Sequence, residues 1–337
     1  MARLKISITS YRTDLSDKDL RQLSQLGVDC IDFGDGSAFP GVQEEGYPDL
    51  DALLRLKRRI RSYGMDINRV TLPDLSAAYM RNEPDAEREL ENAVMALKVF
   101  GEAGIPIARQ RFAADTHPEL LVQYRAVHRG GMVARGEMVA GAADAQALLE
   151  AYWRHWERFC EAYRRLVPAA EDAGVRLGIH PSDVPLPGTL FGGLGYRRVI
   201  DAFPSPSVGY VYCVGTRAEE GGSALVLDEI RQLGRRGRIF LVHFRNVRGS
   251  LPTAKAFEEA LLDDGDLNMF KVLLELRRVG FDGCLNPDHV PILEGVDFPT
   301  RPGWPNTCIH WTYGNIGYAY SIGYIKALLF AMTEYGV

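Results

Sequence analysis

The sequence has no excess of basic residues and no long apolar run, and each absence excludes a class of protein. Its 337 residues include 39 Lys or Arg against 44 Asp or Glu, a net charge of −5. A nucleic acid or an anionic membrane surface would call for a basic face, so we expect neither as a partner. No apolar run approaches the length of a transmembrane helix, and residues 1–20 lack a signal-peptide core.

Paired cysteines are also absent. The five cysteines are odd in number, widely scattered and contain no CxxC pair; they are Cys30, Cys160, Cys213, Cys284 and Cys308. This usage indicates reduced thiols rather than a disulfide framework. We therefore expect a cytoplasmic protein.

Short apolar strands alternate with amphipathic helices along the chain, without a linker or a composition shift. The alternation is clearest in the second half, where strands are predicted at about 175–180, 208–214, 239–245 and 283–287. Strands that alternate with helices imply a parallel sheet, and eight such units most simply close into a single (β/α)8 TIM barrel spanning residues 1–337. A doubly wound open sheet is the alternative, but no glycine fingerprint follows the first strand.

Two segments depart from this alternation. Residues 113–143 are irregular, and their glycine-rich part is either a loop or a small strand excursion. Residues 291–316 form a long loop after the last strand, rich in Pro, Trp and Tyr. Long loops at that rim of a barrel are often lids, in which case Trp304, His310 and Trp311 would line the pocket. A packed loop or a subunit contact explains these residues equally well.

The predicted strand at 239–245 carries two polar side chains in an apolar run. His243 and Arg245 are two residues apart and leave the same face of the strand. Buried polar groups of this kind are costly unless they are paired. The other three strands of the second half supply partners, because each finishes at or just before His180, Cys213 or Asp288.

Four successive strands therefore each end in a potential metal ligand. In a (β/α)8 barrel the carboxyl ends of the strands meet at one face, which carries the active site. Two imidazoles, a thiolate and a carboxylate suit Mn²⁺, Zn²⁺, Co²⁺, Ni²⁺ or Fe²⁺. Each residue alone is more typical of a packed core. Their four equivalent positions favour a metal site formed by His180, Cys213, His243 and Asp288.

Five motifs within about residues 170–330 occur in order and resemble mannonate dehydratase. They are Gly178-Ile179-His180-Pro181-Ser182-Asp183, Cys213-Val214-Gly215-Thr216, Val242-His243-Phe244-Arg245-Asn246-Val247, Asp264-Gly265-Asp266-Leu267-Asn268-Met269 and Pro287-Asp288-His289. The N-terminal half diverges from the family pattern. The resemblance implies a xylose-isomerase-like TIM barrel and a Mn²⁺-dependent loss of water from an aldonate, giving a 2-keto-3-deoxy sugar acid.

The resemblance also assigns roles. It implies the same four metal ligands and makes His289 the candidate for proton transfer, with Tyr318 or Tyr320 as a possible second group. A His beside a ligand could instead orient Asp288. Arg245 could clamp a substrate carboxylate, with Asn246 and Asp183 as further candidates for substrate binding. An ion pair between Arg245 and Asp183, or another carboxylate of the barrel, is the alternative.

Three functions remain open at this point. The first is a metal-dependent sugar-acid dehydratase acting in carbohydrate catabolism, with a small-molecule sugar acid as its ligand. The second is a sugar isomerase or epimerase on the same barrel, which the His and Cys at the strand ends disfavour because such enzymes typically place glutamates there. The third is a non-catalytic, metal-stabilised sugar-acid binder. We also expect a homo-oligomer.

Overall fold

The structure of the protein is a computed structural model. The structure describes residues 4–115, 120–139, 145–183, 185–186, 188–291, 293 and 316–336. The expected lid, including Trp304, His310 and Trp311, lies almost entirely outside the described residues.

The strands of the described residues fall into a barrel and a smaller sheet. In chain order they are β1 (Lys5–Ser10), β2 (Cys30–Phe33), β3 (Asp66–Thr71), β4 (Ile107–Arg109), β5 (Leu121–Val127), β6 (Val133–Val139), β7 (Arg176–Ile179), β8 (Val208–Cys213), β9 (Ile239–His243), β10 (Asn246–Arg248), β11 (Ala256–Ala260) and β12 (Cys284–Asn286).

The α-helices of the same residues connect these strands. In chain order they are α1 (Asp17–Leu26), α2 (Val42–Glu45), α3 (Leu50–Arg61), α4 (Ala77–Met80), α5 (Glu87–Glu102), α6 (Ala145–Ala173), α7 (Gly193–Ala202), α8 (Val214–Arg235), α9 (Leu251–Ala254), α10 (Met269–Arg278) and α11 (Ile316–Glu334).

Eight parallel strands close into a barrel in the order β1-β12-β9-β8-β7-β4-β3-β2. The predicted TIM barrel is thus confirmed. Its strands are short and almost wholly buried; all six residues of β8 are buried. Such continuous apolar strands are expected where helices cover the outside of a parallel sheet and side chains fill the inside.

A small cluster of side chains, called here the interior cluster, fills the amino-terminal part of the barrel. It contains Cys30, Ile107, Val211, Phe240, Leu241 and Cys284. These residues come from five different strands. Leu241 pairs in register with Cys284 on one side and Val211 on the other, so these three side chains share the inward face, whereas Phe240, next to Leu241 on β9, points the other way. Side chains alternate along a strand. The residue two positions further along each strand therefore also points inward, nearer the carboxyl-terminal mouth.

A second, antiparallel sheet lies beyond the carboxyl ends of the barrel strands, in the order β10-β11-β6-β5. It is built partly from residues 113–143, the irregular segment of the sequence, and partly from residues that follow β9. Strands β5 and β6 form a hairpin whose turn contains Gly130 and Gly131, both with positive φ. Strand β11, Ala-Phe-Glu-Glu-Ala, lacks the strong β pattern needed to predict it. We call this sheet the mouth sheet.

Helix ends follow local signals where those signals are strong. Ser16 caps α1, Asp19 completes the capping box and Gly27 ends the helix in the left-handed region. Helix α8 begins directly after β8, at Val214. The pair Gly221-Gly222 breaks its helical backbone, which explains why only the part after it has a clear helical pattern.

Among the described helices, none combines the length and apolar character needed to cross a membrane.

Candidate metal centre

The four predicted ligands lie together at the mouth of the barrel. One potential ligand atom from each of His180, Cys213, His243 and Asp288 lies within 4.8 Å of the other three, and all four residues are buried. Two of the positions follow from the interior cluster. Cys213 lies two residues beyond Val211, and His243 two beyond Leu241. The barrel thus brings together potential ligand atoms from residues that are far apart in the sequence.

His180 is held in the form that a metal requires. Its Nδ1 is 2.7 Å from the carbonyl oxygen of Pro181, so Nδ1 carries the proton and Nε2 is left as a ligand. Burial lowers the pKa of His180 well below its ordinary value, and the charges of Arg109 and His243 lower it further. The imidazole is therefore neutral.

Cys213 is placed to be a thiolate. It caps the N-terminus of α8, where its Sγ accepts a hydrogen bond from the Thr216 hydroxyl at 3.2 Å. The Arg245 Nε lies 3.3 Å from the same sulfur. Burial raises the pKa of the thiol, but Arg245 and His243 outweigh it and bring the pKa to about 7.

His243 and Asp288 complete the cluster. The His243 Nδ1 is 3.2 Å from Asp288 Oδ2, yet neither ring nitrogen has a well-aligned hydrogen bond within the described part of the chain. Buried polar atoms normally have partners. Burial raises the pKa of Asp288, but His289, His243 and Arg245 outweigh it and hold that pKa well below its ordinary value. An anionic carboxylate and an unsatisfied imidazole fit a bound cation, and the four residues can together hold a divalent metal.

Arg245 lies behind the cluster and its guanidinium is already engaged. Its Nη1 is 2.8 Å from Glu259 Oε2, while its Nη2 is 2.7 Å from Glu219 Oε1 and donates to the Thr216 hydroxyl at 2.8 Å. Gly215 permits this approach, because a Cβ there would lie 2.5 Å from the guanidinium. The contacts favour the ion-pair alternative, with Glu259 in place of Asp183 as the anion. Burial raises the pKa of the neighbouring Glu219 to about 8, although Arg245 opposes that rise. The carboxylate clamp stays a prediction.

His289 connects the metal ligands to the mouth sheet. Its Nδ1 is 2.8 Å from Glu259 Oε1 and 2.9 Å from Nη2 of Arg135, and its Nε2 is 3.5 Å from Asp288 Oδ2. The backbone of His289 is left-handed, with φ of 47°. Burial raises the pKa of Glu259, but Arg245 and His289 outweigh it and lower that pKa to about 2. Glu259 is thus an anion shared by three cationic or polar side chains.

The remaining candidates have different surroundings. Asn246 is buried, and its Nδ2 donates to the carbonyl oxygens of Leu262 and Leu267, each at 3.0 Å. Asp183 is about half exposed and 3.9 Å from His180 Nδ1. Tyr318 is buried on α11. Tyr320 is partly exposed on the same helix and hydrogen-bonds with Arg129 and Asp263. The substrate-binding and catalytic roles of these residues stay predictions.

Sequence reasoning missed three residues of this site, namely Arg135, Glu219 and Glu259. Arg135 lies in the segment that had no clear pattern, and Glu259 lies on an unpredicted strand. Glu219 falls in the first turns of α8, before the glycine break. A charged residue in such a segment looks solvated until the tertiary structure is known. The one indication in the sequence was Arg245, because a buried arginine requires an acidic partner.

Comparison with known proteins agrees with this geometry. The family model of D-mannonate dehydratase (UxuA) matches residues 145–336, more than half of the chain. The chain belongs to the D-mannonate dehydratase family. The resemblance predicted from the five motifs is therefore confirmed.

Individual relatives of the D-mannonate dehydratase family extend the match into the N-terminal half. Mannonate dehydratase 2 of Halalkalibacterium halodurans is 25% identical over 303 residues, covering 80% of this chain and 86% of the relative. The enzyme of Streptococcus uberis is 31% identical over 176 residues, 48% of each chain. Identity is thus higher over the shorter match.

Solved structures show the same fold. The crystal structure of mannonate dehydratase from Streptococcus suis serotype 2 superposes with a TM-score of 0.80 at 22% identity, covering all of this chain and 95% of that one. L-ribulose 3-epimerase superposes less well, with a TM-score of 0.59 at 17% identity over 100% of this chain and 97% of that one. The barrel is therefore xylose-isomerase-like, as predicted.

Proposed function

We propose that this protein is a hydro-lyase that removes water from D-mannonate or a closely related aldonate. The observation that carries the proposal is the convergence of His180, Cys213, His243 and Asp288 at the barrel mouth, in a chain of the D-mannonate dehydratase family. In this reaction C2 loses a proton and the C3–O bond breaks. The hydroxide leaves as water after taking up a proton, and the resulting enol tautomerises to the 2-keto-3-deoxy acid.

The four donors prepare a cation site before any substrate arrives. A bound divalent metal would stabilise the negative charge that develops on the sugar acid when the C2 proton is removed. The protein supplies a neutral imidazole at His180, fixed by Pro181, and an anionic sulfur at Cys213, fixed by Thr216 and Arg245. Arg245 in turn is held by two buried glutamates, which keeps the sulfur in one position.

His289 is the group we propose for proton transfer. Glu259 Oε1 lies 2.8 Å from its Nδ1, and Arg135 Nη2, 2.9 Å from the same nitrogen, donates to Glu259 Oε1. We assign the Nδ1 proton to the hydrogen bond with Glu259, which leaves Nε2, on the side of Asp288, to exchange protons. A carboxylate that fixes the tautomer of a catalytic histidine is a recurrent arrangement. Tyr318 and Tyr320 remain the alternative proton donors.

We further propose Mn²⁺ as the native metal. This choice rests on the family resemblance, because the donor set also suits Fe²⁺, Co²⁺, Ni²⁺ and Zn²⁺. The cytoplasmic location and the homo-oligomeric state expected from the sequence are likewise proposals. Elemental analysis of the protein purified without chelator identifies the metal, and light scattering gives the oligomeric state.

The test is a reconstitution assay. The protein is stripped with a chelator, reloaded separately with Mn²⁺, Fe²⁺, Co²⁺, Ni²⁺ and Zn²⁺, and incubated with a panel of aldonates. We expect 2-keto-3-deoxy acid from D-mannonate with Mn²⁺, and none from the stripped protein. Epimeric sugars formed without loss of water would instead establish an isomerase or epimerase. Aldonate binding without product under every metal would establish a binding protein.

A further inference from the structure

Two arginines on neighbouring strands point into the barrel near the metal centre. Arg69 on β3 pairs in register with Ile107 on β4, and Thr71 pairs with Arg109. Ile107 belongs to the interior cluster. Because side chains alternate along a strand, Arg109 also points inward, one layer nearer the mouth.

Arg69 is a buried cation that forms no ion pair with the residues that the structure describes. Its side chain is 2% exposed, and its Nη1 donates to the Thr71 hydroxyl at 3.1 Å. Its Nε has no hydrogen-bond partner among the described residues, and no carboxylate of those residues lies within 4.0 Å of its guanidinium. A buried charge left in this state is unfavourable unless a ligand compensates it.

The nearby buried acid, Asp32, is committed elsewhere. Its Oδ2 accepts hydrogen bonds from the Ser7 hydroxyl at 2.6 Å and from Asn286 Nδ2 at 2.5 Å, and its Oδ1 accepts one from Asn68 Nδ2 at 2.8 Å. Asp32 therefore attracts Arg69 only at longer range. Burial lowers the pKa of Arg69, Asp32 opposes that change, and the positive charge of Arg109 lowers the pKa further.

Arg69 and Arg109 both lie near Tyr11, and so does the candidate metal ligand Asp288. Burial, and then Asp288, raise the pKa of Tyr11 to about 12, while the charges of Arg69 and Arg109 oppose that rise. Arg109 also acts on the ligand His180. Arg245, the residue first considered for binding a carboxylate, is already engaged by Glu219 and Glu259.

We propose that Arg69, assisted by Arg109, binds the carboxylate of the sugar-acid substrate inside the barrel. The inference rests on the proposed function and deepens it, because it assigns the group that distinguishes an acid from a neutral sugar. A guanidinium suits this role, since its planar N–H groups match the two oxygens of a carboxylate. The carboxylate would supply the charge that Arg69 lacks in the unliganded protein.

The test compares a charged ligand with its neutral analogue. Because the Mn²⁺-loaded protein consumes D-mannonate, steady-state kinetics give its KM for D-mannonate and the inhibition constant of D-mannonamide, whose amide replaces the carboxylate. We expect Arg69→Met to weaken D-mannonate binding by roughly 10–100-fold, the usual range for a lost hydrogen bond to a charged group, with D-mannonamide binding and Mn²⁺ content unchanged. Arg69→Lys keeps the charge and should recover part of the loss.

A matched control and a stability measurement distinguish a ligand site from a structural arginine. Arg176→Met removes an arginine at the amino end of β7, where its guanidinium lies over the Phe240 ring, and should bind both ligands as the wild type does. Arg69→Met should leave the unliganded melting temperature unchanged or raise it, because it removes an uncompensated charge.

Three results would overturn the inference. They are wild-type affinity for D-mannonate in Arg69→Met, an equal loss of affinity for both ligands, and a lower melting temperature with loss of Mn²⁺. A wild-type protein that binds no aldonate at all would overturn the proposed function, and this inference with it.

Discussion

Replacement of His289 by Asn tests whether this side chain transfers protons or instead supports metal binding. Asn tolerates the left-handed backbone that His289 adopts at φ 47°, so the loop can keep its conformation. The substitution removes the proton-exchanging Nε2 and the contacts of Nδ1 with Glu259 and Arg135. Glu259 keeps its ion pair with Arg245, so we expect a loss of only about 1 kcal/mol in stability.

The effect on turnover should be much larger. A positioned acid or base typically contributes about 10²–10⁴-fold to a rate, which corresponds to about 2.7–5.4 kcal/mol in the activation barrier. We therefore expect kcat for D-mannonate to fall by that factor, while the affinity for Mn²⁺ stays at the wild-type value. Steady-state kinetics and a metal titration on the same preparation provide both numbers.

The chain offers a matched control in the mouth sheet. The His128 side chain is buried, and its Nε2 is 2.8 Å from Glu258 Oε2, so it forms a comparable His–Glu pair without contacting a metal ligand. His128→Asn should keep the wild-type kcat. If His289→Asn keeps it as well, the assignment of His289 to proton transfer is refuted. If it instead loses Mn²⁺ affinity by about 10–100-fold, His289 serves to orient Asp288.

Three further substitutions test the support of the metal centre. Cys213→Ser should weaken Mn²⁺ binding by about 100-fold or more, because a hydroxyl does not replace a thiolate; unchanged affinity in a metal titration would remove the cysteine from the site. Arg245→Lys should lower the free energy of unfolding in urea by about 3 kcal/mol, since one ammonium cannot contact both Glu219 and Glu259. A raised KM with normal stability would instead favour the role of Arg245 in binding the substrate carboxylate. Gly215→Ala should lower the free energy of unfolding by about 1–3 kcal/mol, because the new Cβ would overlap with Arg245. The control is Gly323→Ala on α11, where a Cβ has open space, and it should not lower the stability of the protein.

The N-terminal half of the barrel was harder to assign to function than the C-terminal half. In the C-terminal half, His180, Cys213, His243 and Asp288 are chemically distinctive and end clear apolar strands. Arg69 lies within a strand that begins with Asp66 and alternates weakly, so an arginine there looks like a surface residue. Its burial becomes evident only when β3 is paired with β2 and β4.

The pairing of strands in the mouth sheet could not be predicted from local sequence patterns. Strands β5 and β6 occupy a segment of mixed polarity, and β11 carries two adjacent glutamates. Antiparallel pairing between β6 and β11 joins residues more than a hundred positions apart. No local propensity encodes that pairing, because its stability comes from contacts between segments far apart in the sequence.

By itself, the sequence determined the alternation of strands and helices, the closed barrel and the four candidate metal ligands. Short apolar strands and the residues at their ends are local features, and a parallel barrel brings those ends together at one face. Only the tertiary structure decided what surrounds those ligands. It placed Arg245 against Glu219 and Glu259, placed Glu259 against His289, and buried Arg69 where no carboxylate of the described ranges forms an ion pair with it. Charge compensation depends on which side chains meet across the fold, and that is a long-range property.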